Sequence, residues 1–531
     1  MRCSKLCGFG FVLFFLLFSA AASQDRGTEK LGKVQFPVSC SGEAQRQFDR
    51  AVALLHSFWF DAASKAFASV TQTDPSCAMG YWGMAMTLLG NPFAWPPPPK
   101  ALAEGRAAVE KALSVPAKTP RERDYIEAID AFYRDAAKVE HRSRALAYTS
   151  AMEQVYRRYP GDQEAAVFYA LTLNATALPT DKTYANQLKA AEILEKVFAK
   201  QPNHPGVAHY LIHSYDYPPI AERGLPAARR YAGIAPSAPH ALHMPSHIFT
   251  RRGFWQDSIQ SNRASAAAAK NDFDRLHGMD YLAYAYLQGG QDLAAKGVVE
   301  EIGAISKVNI EHFVTGYALA AIPARYALER RRWHEAAALN LHPADFPWNR
   351  FPQSEAVNVF ARGLGAARSG DLDAARQSIE RLRVLQSALN EAKQGYWAEQ
   401  AEIQRRVIEA WTTYAEGKGR EALQFMRTAA DLEDSTEKHP VTPGPLIPAR
   451  ELLGDMLLEM NEPAQALKEF ESSMRVEPNR FRGLYGAAKA AELMGDRKKT
   501  RTYYQKLIAL SAQAEVWRPE LIEAKGLVAV K

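Results

Sequence analysis

Histidine is where this chain concentrates its chemistry. Of the 13 histidines in 531 residues, seven lie between His204 and His277. Two pairs repeat the pattern His-x-x-x-His, His209 with His213 and His243 with His247, the second following the first at a spacing of 34 residues. A four-residue step puts both imidazoles on one face of a helix, one turn apart. Neutral imidazoles so placed are ligands for a transition metal, Zn or Cu before Fe or non-covalent heme. Covalent heme is excluded, because no Cys-x-x-Cys-His occurs.

Around the pairs, His204 precedes the first and His240 the second, while Asp216, in Tyr215-Asp216-Tyr217 after the first, suits equally the orienting of an imidazole and the turn into Pro218-Pro219. A metal pocket with an open coordination position activates water or oxygen, so a hydrolytic or oxidative metalloenzyme is one reading, with Asp216 and Glu222 as the nearby acids. The other readings are a groove for an anionic or peptide ligand without metal, and histidines that cap and fill. Met244 and Met86 are able to assist copper but suit core filling better. Phe58-Trp59-Phe60, Trp82 and Trp95 read first as packing, and Trp95-Pro96-Pro97-Pro98-Pro99 as a stiff extended linker. No Gly-rich phosphate loop, Gly-x-Ser-x-Gly or His-Glu-x-x-His is present.

The elements that must position these groups are helices. Segments such as Gln45–His56, Ala145–Tyr159, Asn186–Lys200 and Trp397–Tyr414 carry apolar residues at three- and four-residue spacing, with Gly, Pro and Asp between them, and no alternating strand pattern competes. Near the C-terminus the chain reads Glu451-Leu452-Leu453-Gly454, then Ala466, Phe470 and Pro478, and next Leu484, Ala488, Gly495 and Tyr504. These residues resemble the tetratricopeptide repeat family: a small residue for close packing in the first helix, Ala in the second, an aromatic near its end, and Pro to stop it. Asp74-Pro75, Tyr159-Pro160, Gln201-Pro202 and Ala235-Pro236 close helical pairs upstream in the same way. The resemblance implies an all-α, right-handed superhelical array of helix-turn-helix repeats with a concave surface for a protein, peptide or small-ligand partner. By that analogy residues 34 apart occupy stacked positions, both histidine pairs face the groove, and His56 and His240 stand at its edge.

Stacked repeats lie ~8–10 Å apart, whereas ligands of one metal must converge within ~4 Å. Each pair alone is therefore a candidate site, and one site using all four requires side chains that reach across. His277 lies a further 34 residues on, but Gly289 and Ala294 put its repeat two residues out of phase.

The expected organisation is a leader over 1–23, repeats with the histidine groove over 24–290, helices of unassigned register over 291–444, and two clear repeats over 445–531. Arg2 and Lys5 precede the apolar run Phe9 to Phe18 and the small residues Ser19 to Ser23, the pattern of a secretory signal peptide. The implied product is an exported repeat protein of the bacterial type, periplasmic or secreted, with no later span of membrane length. Cys40 and Cys77 then remain, and a disulfide is their simplest state in an oxidising compartment. The net charge of +6, from 65 basic and 59 acidic residues, is spread along the chain without the basic, aromatic-laced stripe that nucleic acid requires.

Overall fold

A computed structural model describes residues 29–515 and 518–529; the expected leader lies outside the described residues. The described chain is all-α, an array of helix-turn-helix repeats built from 26 α-helices and three short 3-10 turns, with no strand. Helices begin where the sequence supplies a start. Pro occupies the first helical position at Pro99, Pro120, Pro205, Pro239 and Pro352, and Asp162, Asn271 and Asp371 cap others by accepting backbone N–H bonds.

Consecutive helices pack as hairpins, and several first helices also touch the first helix of the next pair, as Gln163–Thr176 touches Pro205–Tyr215 and Ala449–Glu459 touches Phe481–Leu493. Small residues permit this. A Cβ on Gly454 would stand 2.7 Å from the Phe470 ring, and one on Gly486 only 2.3 Å from it. Register is lost in the middle of the chain because the helices there outgrow the repeat: Pro352–Ser369, Leu372–Glu391 and Gly395–Ala415 run 18, 20 and 21 residues.

Two large apolar cores divide the array, one from Leu31 to Phe249 and one from Trp255 to Ala490. Cys40 and Cys77 are joined within the first, with Cα atoms 5.1 Å apart. The C-terminal repeats fold back onto the start of the second core. The Trp255 indole donates to the Asn479 carbonyl (2.7 Å), Arg480 bonds Glu451 and the Tyr284 hydroxyl, and Arg518 bonds Asp292. Residues 436–448, between Gly419–Ser435 and Ala449–Glu459, thread inward. They are held by the Arg325 guanidinium, which donates to Asp280, Thr442 and the carbonyls of Gly444 and Pro445. Among the described residues no helix is long and apolar enough to cross a membrane.

Candidate metal centre

The first histidine pair stands on Pro205–Tyr215. The second stands on a helix that Pro245 divides into Pro239–His243 and Pro245–Arg251, with Met244 in helical conformation between them. Each pair is completed by a third imidazole. His209, His213 and His240 bring ring nitrogens within 4.8 Å of one another, and so do His243, His247 and His277. His240 and His243, three residues apart on one short helix, thus serve different triads. The triads abut: ring centroids of His213 and His247 are 5.8 Å apart, and those of His240 and His243 5.9 Å.

The outer ring nitrogens determine which atoms face inward. His209 Nδ1 donates to the His56 carbonyl (2.7 Å), so its Nε2 carries the lone pair, and that nitrogen lies 3.2 Å from both His213 Nε2 and His240 Nε2. His243 Nδ1 donates to Asn262 Oδ1 (2.6 Å), whose orientation is set by the Asn262 amide donating to the Ser258 carbonyl. His247 Nδ1 donates to Asp216 Oδ2 (2.9 Å). Both Nε2 atoms of that pair are therefore lone pairs, and they face each other at 3.1 Å. Two acceptors at that distance form no hydrogen bond. Metal–nitrogen bonds of about 2 Å at a tetrahedral angle would hold ligand nitrogens ~3.3 Å apart, which is the observed spacing.

Burial, and after it neighbouring imidazoles, holds His209, His240, His243 and His277 well below the ordinary histidine range, and His213 behaves alike. The neutral form is the one that ligates. Asp216 is buried, which disfavours its charge, yet Lys438 (3.1 Å) and Arg251 (2.9 Å) outweigh burial and keep its carboxyl well below the usual range. A carboxylate behind a ligating imidazole fixes its tautomer and raises its basicity.

Aromatic rings wall the centre. Phe93 stacks on His213 at 3.8 Å, Tyr231 on His209 at 5.3 Å, and Tyr281 meets His243 edge-on at 4.7 Å. Phe58 lies 4.4 Å from His209 and stacks on His240 at 5.5 Å, from a backbone with φ of 53°. A bulky residue in that left-handed region costs roughly 1–2 kcal/mol. The aromatic run expected to pack between repeats thus also packs on imidazoles.

A third cluster, His56, Glu164 and His204, has similar spacing and different chemistry. His204 Nδ1 accepts the Val207 N–H, leaving Nε2–H to donate to Glu164 (2.7 Å), and His56 donates Nε2–H to Glu164 (2.9 Å) while Nδ1 meets the Tyr210 hydroxyl (3.0 Å). Every donor there has an acceptor, so the cluster is closed by hydrogen bonds. His56 reaches the six-histidine cluster through its carbonyl, which accepts from His209. Gly206 makes room for it, since a Cβ there would stand 2.5 Å from the His56 ring.

Of the residues singled out from sequence, the structure gathers His209, His213, His240, His243, His247 and Asp216 at one place. Asp216 follows the first pair in sequence but orients the second. Glu222 stands on the surface, 3.5 Å from Arg252, and Met244 fills the core. His277, Asn262 and Lys438 were not assigned a role from sequence. The 34-residue step to His277 was the available signal. Downstream, Asp272–Gln288 runs between an Asn271 N-cap and a Gly289 C-cap, and Gly289 puts the repeat two residues out of phase with those before it.

No family model matches the chain, and no curated protein does. Among solved structures it is similar to Naa15/Naa10 bound to HypK, at 11% identity over 91% of this chain and 73% of that one, with a TM-score of 0.25. It is likewise similar to an IFIT1 monomeric mutant with Gppp-AAAA (11%, 89% and 96%, TM-score 0.36) and to the Cut9–Hcn1 hetero-tetramer (11%, 92% and 96%, TM-score 0.29). At such scores the fold rests on the helix packing described above.

Proposed function

We propose that this protein binds a pair of transition-metal ions, copper foremost, in the six-histidine pocket of its helical scaffold. The observation that carries the reading is the facing lone pairs of His243 and His247 at 3.1 Å, each tautomer fixed from behind. Six imidazoles without carboxylate or thiolate among them disfavour Mg, Ca and Mn, and copper binds nitrogen sites most tightly of the first-row divalent ions. Three protein ligands per ion leave a position open for a reactant. The Cys40–Cys77 disulfide suits an exported protein.

The test is elemental analysis of full-length protein, untagged and exported natively. Two metal equivalents per chain are expected. Replacing His243 and His247 by Ala should leave one, and His56→Ala should leave two. Protein that arrives metal-free and takes up no added Cu or Zn would overturn the reading.

A scaffold that holds an organic ligand on its inner face is the second reading. It is supported by a cavity of about 650 Å³ beside residues 436–448, lined by Tyr396, Trp397 and Glu433 together with Gln353 and Gln404, whose side-chain carbonyls lack protein partners.

A further inference from the structure

The metal pair has one open side. Five of its six histidines are buried, and His240 is only half-buried. His240 lies on the wall of a separate cavity of about 340 Å³ that opens to the surface, and Phe58, Phe60, Trp95, Phe273 and Asp274 line it as well. Phe58 and Phe60 stack on each other with centroids 5.2 Å apart, so the wall nearest the histidines is aromatic. Pro96, Pro97 and Pro98 also line the cavity and give it a stiff edge. Asp274 adds an acceptor. Its carboxylate is tied to the Asn271 amide at 3.1 Å, one helical turn before the ligand His277.

A cavity of this size admits a small molecule. Aromatic side chains on its walls select a flat apolar body, and the carboxylates of Asp61 and Asp274 select hydroxyl donors. Two adjacent sites of three neutral imidazoles suit a centre that exchanges two electrons at a time.

Resting on the proposed metal pair, we infer that this cavity is a substrate site and that the protein oxidises small aromatic diols with dioxygen. In the balanced reaction two catechols and one dioxygen give two ortho-quinones and two waters. Each catechol loses two electrons and two protons as its C–O bonds become carbonyls. The O–O bond breaks, and the four electrons and four protons end in the waters. Nothing else is consumed. His240 joins cavity to centre, Phe58 positions the ring against it, and Asp274 holds a hydroxyl.

The experiment loads full-length protein with Cu(I) under anaerobic conditions, removes unbound copper, and measures copper content, dioxygen uptake and quinone absorbance with catechol as the probe. The His243→Ala, His247→Ala variant, treated identically, gives the background from the single copper held by the other triad. Two coppers per chain, with one dioxygen taken up for two quinones well above that background, is the expected result. Ala101→Phe narrows the cavity from the helix Pro99–Ser114 without touching a ligand. It should keep copper content and melting temperature while raising the catechol KM about tenfold. Copper bound without dioxygen uptake above background overturns this inference and leaves the metal pair standing. Absence of bound copper removes the metal pair itself, and the inference with it. An unchanged KM in Ala101→Phe overturns the assignment of the cavity.

Discussion

At the scale of single residues, tautomers separate the proposed ligand set from a hydrogen-bonded cluster. Asn262 and Asp216 each occupy an Nδ1 and so aim a lone pair inward. Asn262→Leu removes the acceptor behind His243, and the expected loss is 10–100-fold in affinity for one of the two ions, on the order of effects seen for such outer partners. Competition titration against a chelator of known affinity measures it. The Glu164 cluster makes a different prediction. Burial by itself would raise that carboxyl, but His204 and His56 outweigh it and bring it from 4.5 down to about 2. A depressed carboxylate contributes stability above its unfolded value, and that contribution disappears as pH falls from about 4.5 through about 2. Its size is of order 3 kcal/mol. In urea titrations across that window the wild type should therefore lose stability more steeply than Glu164→Gln; parallel curves would refute the assignment.

At the scale of elements, helix pairs are set by where small residues allow contact. Gly486→Ala places a methyl 2.3 Å from the Phe470 ring between two packed helices. Overpacking of this kind costs roughly 1–3 kcal/mol. The expected drop in melting temperature should be partly reversed by Phe470→Leu, whereas a second-site change that gives no recovery would place the strain elsewhere. The Cys40–Cys77 link closes a separation of 37 residues. The double Ser variant should lower stability by about 3–4 kcal/mol in the chain-entropy model, read from denaturant midpoints under non-reducing conditions. Both helix pairing and the cysteine pair were legible in sequence, because each depends on residue type at short or single spacings.

At the scale of the whole molecule, the array folds back on itself, and the return makes the centre depend on distant sequence. Lys438 arrives 222 residues after Asp216 and shares that carboxylate with His247 and Arg251. Burial pushes the Lys438 ammonium down to about 8, against the pull of Asp216. Lys438→Met removes a charge that keeps Asp216 ionised behind His247. Affinity for one ion of the pair should fall by about tenfold while the other is unchanged, a difference that stepwise metal titration resolves. Equal weakening at both sites would point to loss of the fold instead.

Taken by itself, the sequence determined the all-helical repeat architecture, the cysteine pair and the concentration of histidines at a 34-residue step. Those features follow from local periodicity and composition, which one helix or one hairpin already expresses. The tertiary structure decided that four expected ligands become two triads. The packing of successive helices sent His240 to His209 and His213, and the contact of Pro239–His243 with Asp272–Gln288 brought His277 to the other pair. It also decided that His56 belongs to a closed hydrogen-bonded cluster, since the direction of a ring nitrogen depends on which acceptor packing places behind it. The contribution of Lys438 was beyond sequence for the same reason: only the return of the C-terminal repeats against the second core carries that loop to Asp216.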